Sequence, residues 1–420
     1  MSYFPDPAPG SYRRWAIFVV GSVNFIMSMF YRVSLAVISP SLISDLRFDA
    51  SQLSDLSAAF FYGFALCQLP LGLAIDRIGA RKGLILLGAP AIAGGFIFAF
   101  GQSYEHLLLG RFLLGIGMGG NLMLVLALLA VWFPPDRFAS LGSSLVAIGV
   151  VGNLFAATPL ALMNGWLGWR SCFIIFTIVN AIIIISFFLI IRNYPPGYVK
   201  RAPKNSNFLQ GFKTIARMYG YWAISLGNFV RYGYFVAIQG LWATPFLIYG
   251  VGMNQIAAAD TLLFLGFGYM IGLPFFGFLS DRIFRSRKKV VVTTFSLSVA
   301  LTLSIFFWPD HVDSWIIKTT FFFMGLLAAP GQISYAHIKE LVPSSITAQA
   351  MTAVNLFTIL GAALMTQVLG LFVQGDMNQL SGVKDFRFIW LAGAALLAIV
   401  TIMYSFVPES PVFGRAATKQ

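Results

Sequence analysis

Two arginines stand where hydrocarbon is expected. Arg32 is about seventeen residues into the apolar run 15–43, and Arg231 is about fourteen into the run 218–250. A charge at the middle of a membrane helix costs about 2.5 to 3.5 kcal/mol on the insertion scale, so such a residue normally faces a wet path or a partner. The fifteen acidic residues are Asp6, Asp45, Asp49, Asp55, Asp76, Glu105, Asp136, Asp260, Asp281, Asp310, Asp313, Glu340, Asp376, Asp385 and Glu409, and every one falls in a loop or near the end of an apolar run. No carboxylate is therefore expected at mid-span, and an anion from outside the chain becomes the natural counter-charge. A guanidinium suits that role because it stays charged and offers a planar donor fork matched to carboxylate or phosphate. The alternative is that Arg32 and Arg231 snorkel or brace helix packing.

Helical steps of three and four residues around Arg32 collect Gly21, Asn24, Ser28, Ala36 and Ser39, a small and polar stripe on one face. The same steps from Arg231 reach Asn228 and Tyr234. Tyr62, Asn121, Gln239, Trp242, Gln332, Tyr335 and Asn355 are further candidates for hydrogen bonding or stacking with a substrate, although buried polar groups also hold membrane helices together. Arg111 is expected near the outer start of a span, as a coupling residue or a snorkelling interfacial arginine. His337 is a candidate proton relay or an ordinary interfacial histidine. His106, His311 and His337 have no metal-ligand spacing, and Cys67 and Cys172 form neither a zinc nor a disulfide pattern, so no metal is expected. No phosphate-binding G-x-x-x-x-G-K-[ST] loop occurs, so no cofactor is expected and the energy must come from a gradient or from exchange.

The elements that must carry these residues follow from composition. The 420 residues are 58% hydrophobic and only 10% charged, against roughly 25% charged in a soluble domain. At about 20 apolar residues per crossing, the length accommodates twelve spans, expected at 15–43, 54–75, 83–101, 106–132, 138–163, 169–191, 218–250, 260–280, 290–308, 314–337, 347–374 and 387–407. The predicted fold is an all-α polytopic membrane protein of two six-helix bundles, 15–191 and 218–407, with tails 1–14 and 408–420 and a linker 192–217. That linker holds six basic residues and no acid, which predicts a cytoplasmic location. Alternating from it puts Arg13 and Arg14, the Arg77/Arg81/Lys82 loop, the Arg282 to Lys289 loop and both termini on the same side. The net charge of +13 is thus explained by clustered loop residues, and nucleic-acid binding is not expected.

The halves repeat. Pro70, Gly72, Asp76 and Arg77 recur as Pro274, Gly277, Asp281 and Arg282, about 205 positions later. Two homologous bundles with a substrate site near the midplane are the expected reading.

The segment from Gly72 through Asp76, Arg77, Gly79 and Arg81 to Lys82 resembles the signature between spans 2 and 3 of the major facilitator superfamily. Arg111-Phe-Leu-Leu-Gly115-Ile-Gly117-Met-Gly119 resembles the family's span-4 motif. Tyr31-Arg32-Val-Ser-Leu-Ala-Val, followed by Phe60 to Gly72, is similar to the anion:cation symporters and, less closely, to the organophosphate:phosphate antiporters. The resemblance implies transport by alternating access, with Gly72, Asp76, Arg77, Arg81, Gly277, Asp281 and Arg282 as gating residues. The sequence therefore predicts a non-enzymatic secondary transporter of a small organic anion, expected as a monomer in a bacterial inner membrane, with a proton or Na⁺ as possible companion. Export of amphipathic or cationic compounds is the alternative, with a non-transporting membrane sensor third.

Overall fold

The computed structural model describes residues 12–195, 213–309, 311–343, 346–373 and 382–410, and the chain is all-helical over them. In the first half the helices are α1 (Tyr12–Leu46), α2 (Ala50–Ile78), α3 (Ala80–Phe100), α4 (Tyr104–Met118), α5 (Asn121–Trp132), α6 (Pro135–Phe155) and α7 (Thr158–Leu189). In the second they are α8 (Tyr219–Ala237), α9 (Gln255–Phe278), α10 (Arg287–Phe306), α11 (Ser314–Ala328), α12 (Gly331–Leu341), α13 (Thr347–Gly370) and α14 (Arg387–Ser405). Helices α4 and α5 follow one another as a single rod, as do α11 and α12, which gives twelve rods. Among the described residues, nine rods are long and apolar enough to cross a membrane by length and composition.

The outer surface has the polarity of a bilayer protein. On α7, Ile178, Ile182, Ile185 and Leu189 recur at helical spacing with 47 to 71% exposure, while Phe173 and Phe187 of the same helix are wholly buried. Water would penalise such an outer face, whereas lipid does not distinguish it from the interior.

Several rods differ from the expected runs. The expected run 138–163 is interrupted at Ala156–Ala157, between α6 and α7, and within α7 the chain leaves helical geometry at Gly168 (φ 75°), just before the expected run 169–191. The runs 106–132 and 314–337 are interrupted, the first at Gly119–Gly120 and the second at Ala329–Pro330. A Gly-Gly pair lowers the cost of leaving helical geometry, and Pro330 has no N–H to continue the ladder. The rod 219–250 opens into wide turns over Ile238–Trp242 and Phe246–Gly250, on either side of Pro245. Proline deprives the fourth carbonyl before it of a donor, and five-residue turns such as Ala243 N–H to Ile238 O absorb the mismatch.

The chain divides into two compact units, Met1–Ile38 with Ala59–Asn205, and Ser39–Ala58 with Ser206–Gln420. Within each, the same backbone contacts recur. Gly115 lies against the Phe60 carbonyl, and Gly325 against the Leu265 carbonyl, too closely in both cases to admit a β-carbon. Gly152 meets the carbonyl of Ile26, and Gly361 that of Phe229. These pairs fix the internal register at 205 positions for α2 onto α9, 210 for α4 onto α11, and 203 for α1 onto α8. The predicted linker falls mostly outside the described residues, which omit 196–212.

Candidate functional site

In the first unit the polar stripe of α1 faces inward. Asn24, Ser28 and Arg32 are 1, 1 and 8% exposed. The Arg32 guanidinium lies over the Phe64 ring, 5.0 Å from its centroid, a contact available to a cation on an aromatic face. Ser28 Oγ donates to the Met118 carbonyl at 3.3 Å, and Asn121 Nδ2 to the Asn24 carbonyl at 3.5 Å. The Asn24 amide side chain is buried and makes no hydrogen bond among the described residues. Tyr62 is half-buried on α2.

Arg111 is not interfacial. It is wholly buried, donates through Nη1 to the Tyr31 carbonyl at 2.8 Å, and stacks 4.8 Å from the Phe60 ring centroid. The snorkelling expectation fails because Gly115, one turn on, draws α4 against the α2 backbone at Phe60 and carries Arg111 inside with it.

In the second unit, Asn228, Arg231 and Tyr234 share the inner face of α8 at 0, 4 and 3% exposure. Arg231 Nη1 donates to the Ala328 carbonyl, and a β-carbon on Gly331 would collide with the guanidinium. A cavity of about 20 Å³, room for about one water, is bounded by Arg231, Tyr234, Ser298, Thr302 and Ala328. The Asn228 amide has no hydrogen-bond partner among the described residues. Gln239 is buried in the first wide turn. Asn355 Oδ1 accepts from the Tyr335 hydroxyl at 3.0 Å. The side chain of Gln332 falls outside the described residues.

The two arginines are not positional equivalents. A displacement of 203 carries Ser22, Ser28 and Tyr31 onto Ser225, Arg231 and Tyr234, and Arg32 onto Phe235. The contacts agree, since Phe235 stacks on Tyr269 with centroids 4.9 Å apart, and Phe64 displaced by 205 is Tyr269. Arg32 on Phe64 and Phe235 on Tyr269 are one contact in two chemistries.

Of the gating residues, Arg81 holds the loop after α2 to the end of α7, its Nε donating to the Phe187 carbonyl at 3.1 Å and its backbone N–H to Asn193 Oδ1 at 2.7 Å. Cationic donors on the last carbonyls of a helix also meet its negative dipole end. The surroundings of Gly72 and the side chains of Asp76 and Arg77 fall outside the described residues. Gly277 faces open space, and Arg282 is exposed. Asp281 pairs with Arg287, whose guanidinium also grips Glu340, with Nη2 to Oε1 at 3.0 Å and Nε within 3.4 Å of both oxygens. Glu409 receives the Ser286 hydroxyl and the N–H groups of Arg287 and Ser410 at 3.1 and 2.9 Å. Burial by itself would raise the proton affinity of Glu409, but Ser286 and the backbone donors outweigh it and hold the carboxyl below its usual range. His337, expected at an interface, is wholly buried between the Tyr404 hydroxyl (Nδ1, 2.9 Å) and the Pro408 carbonyl (Nε2, 3.0 Å). A carbonyl can only accept, so these partners select the Nε2–H tautomer.

A family model for the Major Facilitator Superfamily matches residues 20–244 and 224–419. The chain belongs to this superfamily. Its members transport solutes, and this one is an integral, multi-pass membrane protein with a twelve-helix fold. The chain is similar to the hexuronate transporter of Bacillus subtilis (strain 168), 24% identical over 96% of this chain and 95% of the relative. It is also similar to a probable sulfoacetate transporter of Cupriavidus necator, 24% identical over 75% of this chain and 78% of the relative. Among solved structures, the inward-facing, unoccupied bacterial homologue of the human lysosomal transporter Spinster superposes with a TM-score of 0.80 at 16% identity, covering 95% of this chain and 97% of that one. Hexuronate and sulfoacetate, the solutes in the two relatives' names, are both anions.

Sequence reasoning missed Arg287, Glu340, Ser286 and Glu409 as one network, since they come from three separated segments. It also missed the two carbonyls at the interrupted rods, for which Gly119-Gly120 and Pro330 were available as signals.

Proposed function

We propose that this protein is a secondary transporter of a small organic anion, a carboxylate or phosphate ester, working by alternating access. The observation that carries the reading is the pair of mid-helix guanidinium groups, Arg32 and Arg231, in a sequence whose acidic residues all fall between apolar runs or near their ends. Two buried cations favour an anionic cargo and repel a cationic one. The names of the relatives, hexuronate and sulfoacetate transporters, support the same sign of charge. Asn24 and Asn228, buried amides with unused hydrogen-bonding capacity among the described residues, are suited to hydroxyl or carboxyl groups of such a cargo. The subfamily this reading favours is the anion:cation symporter type, with a proton or Na⁺ as companion, a monomer in a bacterial inner membrane, and both termini cytoplasmic. Tyr62, Tyr234, Gln239, Gln332 and Asn355 are its further lining candidates, and the Asp76/Arg77 and Asp281/Arg282 loops its gates.

The test is a thermal-shift screen of the purified full chain with glucuronate, sulfoacetate, glycerol 3-phosphate and tetraphenylphosphonium, repeated on Arg32→Ala. At least one anion is expected to raise the melting temperature of the wild type and to lose that effect in the variant. Stabilisation by the cation alone would sink the proposal and favour the export reading.

A further inference from the structure

The interrupted rods are the same device built twice, with different caps. At each break the ladder tightens by one residue, Gly119 N–H bonding to Ile116 O at 3.3 Å and Ala329 N–H to Leu326 O at 3.2 Å. These positions correspond at the displacement of 210 that the Gly115/Gly325 contacts establish. The helix ends at Met118 and Ala328, themselves equivalent, leave the carbonyls of these last residues without an intrahelical donor. In the first half that donor is Ser28 Oγ, and in the second it is Arg231 Nη1. Ser28 and Arg231 are equivalent at the displacement of 203 fixed by Ile26 on Gly152 and Phe229 on Gly361.

Residue size is exchanged reciprocally at the next position. Beside the small Ser28, the rod resumes with Asn121, whose amide reaches across to the Asn24 carbonyl. Beside the large Arg231 it resumes with Gly331, where even a methyl group would overlap the guanidinium. One half thus uses a short hydroxyl and a long amide, the other a long guanidinium and no side chain at all.

We infer that Arg231 and Gly331 act as one positioning unit that sets the break between α11 and α12, replacing the neutral Ser28/Asn121 unit of the first half, so that this half's mid-helix charge is built into its hinge. The capping role goes beyond the anion reading and does not depend on it.

The consequence is that the first-half solution should be transplantable. The full-length chain is compared as wild type, Arg231→Ser, Gly331→Asn and the double variant, by melting temperature and by amide hydrogen exchange over residues 328–333. Arg231→Ser leaves empty the space beside Gly331 that the guanidinium fills, and Gly331→Asn drives a side chain into the guanidinium, so each single change is expected to lower the melting temperature by about 5 °C or more and to speed exchange at the break by roughly tenfold. The double variant is expected to recover more than half of both losses, because the introduced serine would cap Ala328 as Ser28 caps Met118, and the introduced asparagine would take the space the guanidinium vacates. Losses in the double variant equal to the sum of the singles would overturn the inference. So would a Gly331→Asn chain as stable as wild type. Should the single variants fail to fold, Gly331→Ala supplies the same information: Arg231→Lys, which has no second arm to meet the new methyl group, is expected to rescue it, and absence of rescue refutes the pairing. An anion-binding role for Arg231 is read separately, from any anion-induced melting shift that remains lost in the rescued double variant.

Discussion

Arg287 offers the sharpest quantitative test of how the second unit holds its basic end together. Its side chain is 13% exposed and forks onto Glu340, itself 15% exposed, while Asp281 on its other side is 54% exposed. Arg287→Met removes the fork but keeps an apolar stem, so the dominant cost is the Glu340 carboxylate left without its partner. Breaking a buried pair costs about 3 to 5 kcal/mol, and the residual exposure places this one near the lower end. The half-exposed Asp281 adds well under about 1 kcal/mol. For a bundle of roughly 200 residues, about 3 kcal/mol corresponds to a fall of roughly 6 to 12 °C in melting temperature. Glu340→Met should cost a similar amount for the mirror-image reason. If the two act on each other, Arg287→Met/Glu340→Met should fall by clearly less than the sum, since neither charge then remains to be stranded. The assay is a differential-scanning measurement of the four chains in one detergent at neutral pH. Strictly additive shifts, or a fall of less than about 2 °C for Arg287→Met, would refute the assignment of this network as a buried, coupled one.

Arg32→Lys is expected to keep the charge but lose one arm of the fork, about 1.5 to 3 kcal/mol, so the affinity for whichever anion stabilises the wild type should weaken roughly ten- to a hundredfold while the ligand-free melting temperature stays close to wild type. Unchanged affinity in a titration would return Arg32 to a packing role. Glu409 gives a pH dependence of known sign. Its carboxyl is held below the ordinary glutamate value of 4.5 by Ser286 and backbone donors, so its contribution is present above that value and is lost as pH falls through the lowered one. The melting-temperature difference between wild type and Glu409→Gln should therefore be largest near neutral pH and shrink below about pH 4, and a difference that does not change between about pH 7 and 3 would contradict the assignment.

Residue type and spacing were enough to establish the solvent, the number of rods and the two-fold repeat, because hydrocarbon admits few structures. They also isolated Arg32 and Arg231, since an arginine is conspicuous where everything around it is apolar. Whether the two arginines are equivalent was beyond their reach. Counting residues into each run made them look matched in depth, whereas helix crossings at Gly152 and Gly361 show that Arg231 stands in the place of Ser28, and Arg32 in that of Phe235. Register between packed helices is set by which backbones approach closely, and that depends on residues far apart in the chain. The burial of Arg111 and His337 was hidden for the same reason: helix-end position predicts an interface only until a neighbouring rod covers it. The Arg287, Glu340 and Glu409 network required three chain segments to converge. Composition and period thus decided what the molecule is made of, while packing decided which of its charges brace the scaffold, with Arg231 capping a broken rod and Arg287 tying together the basic end.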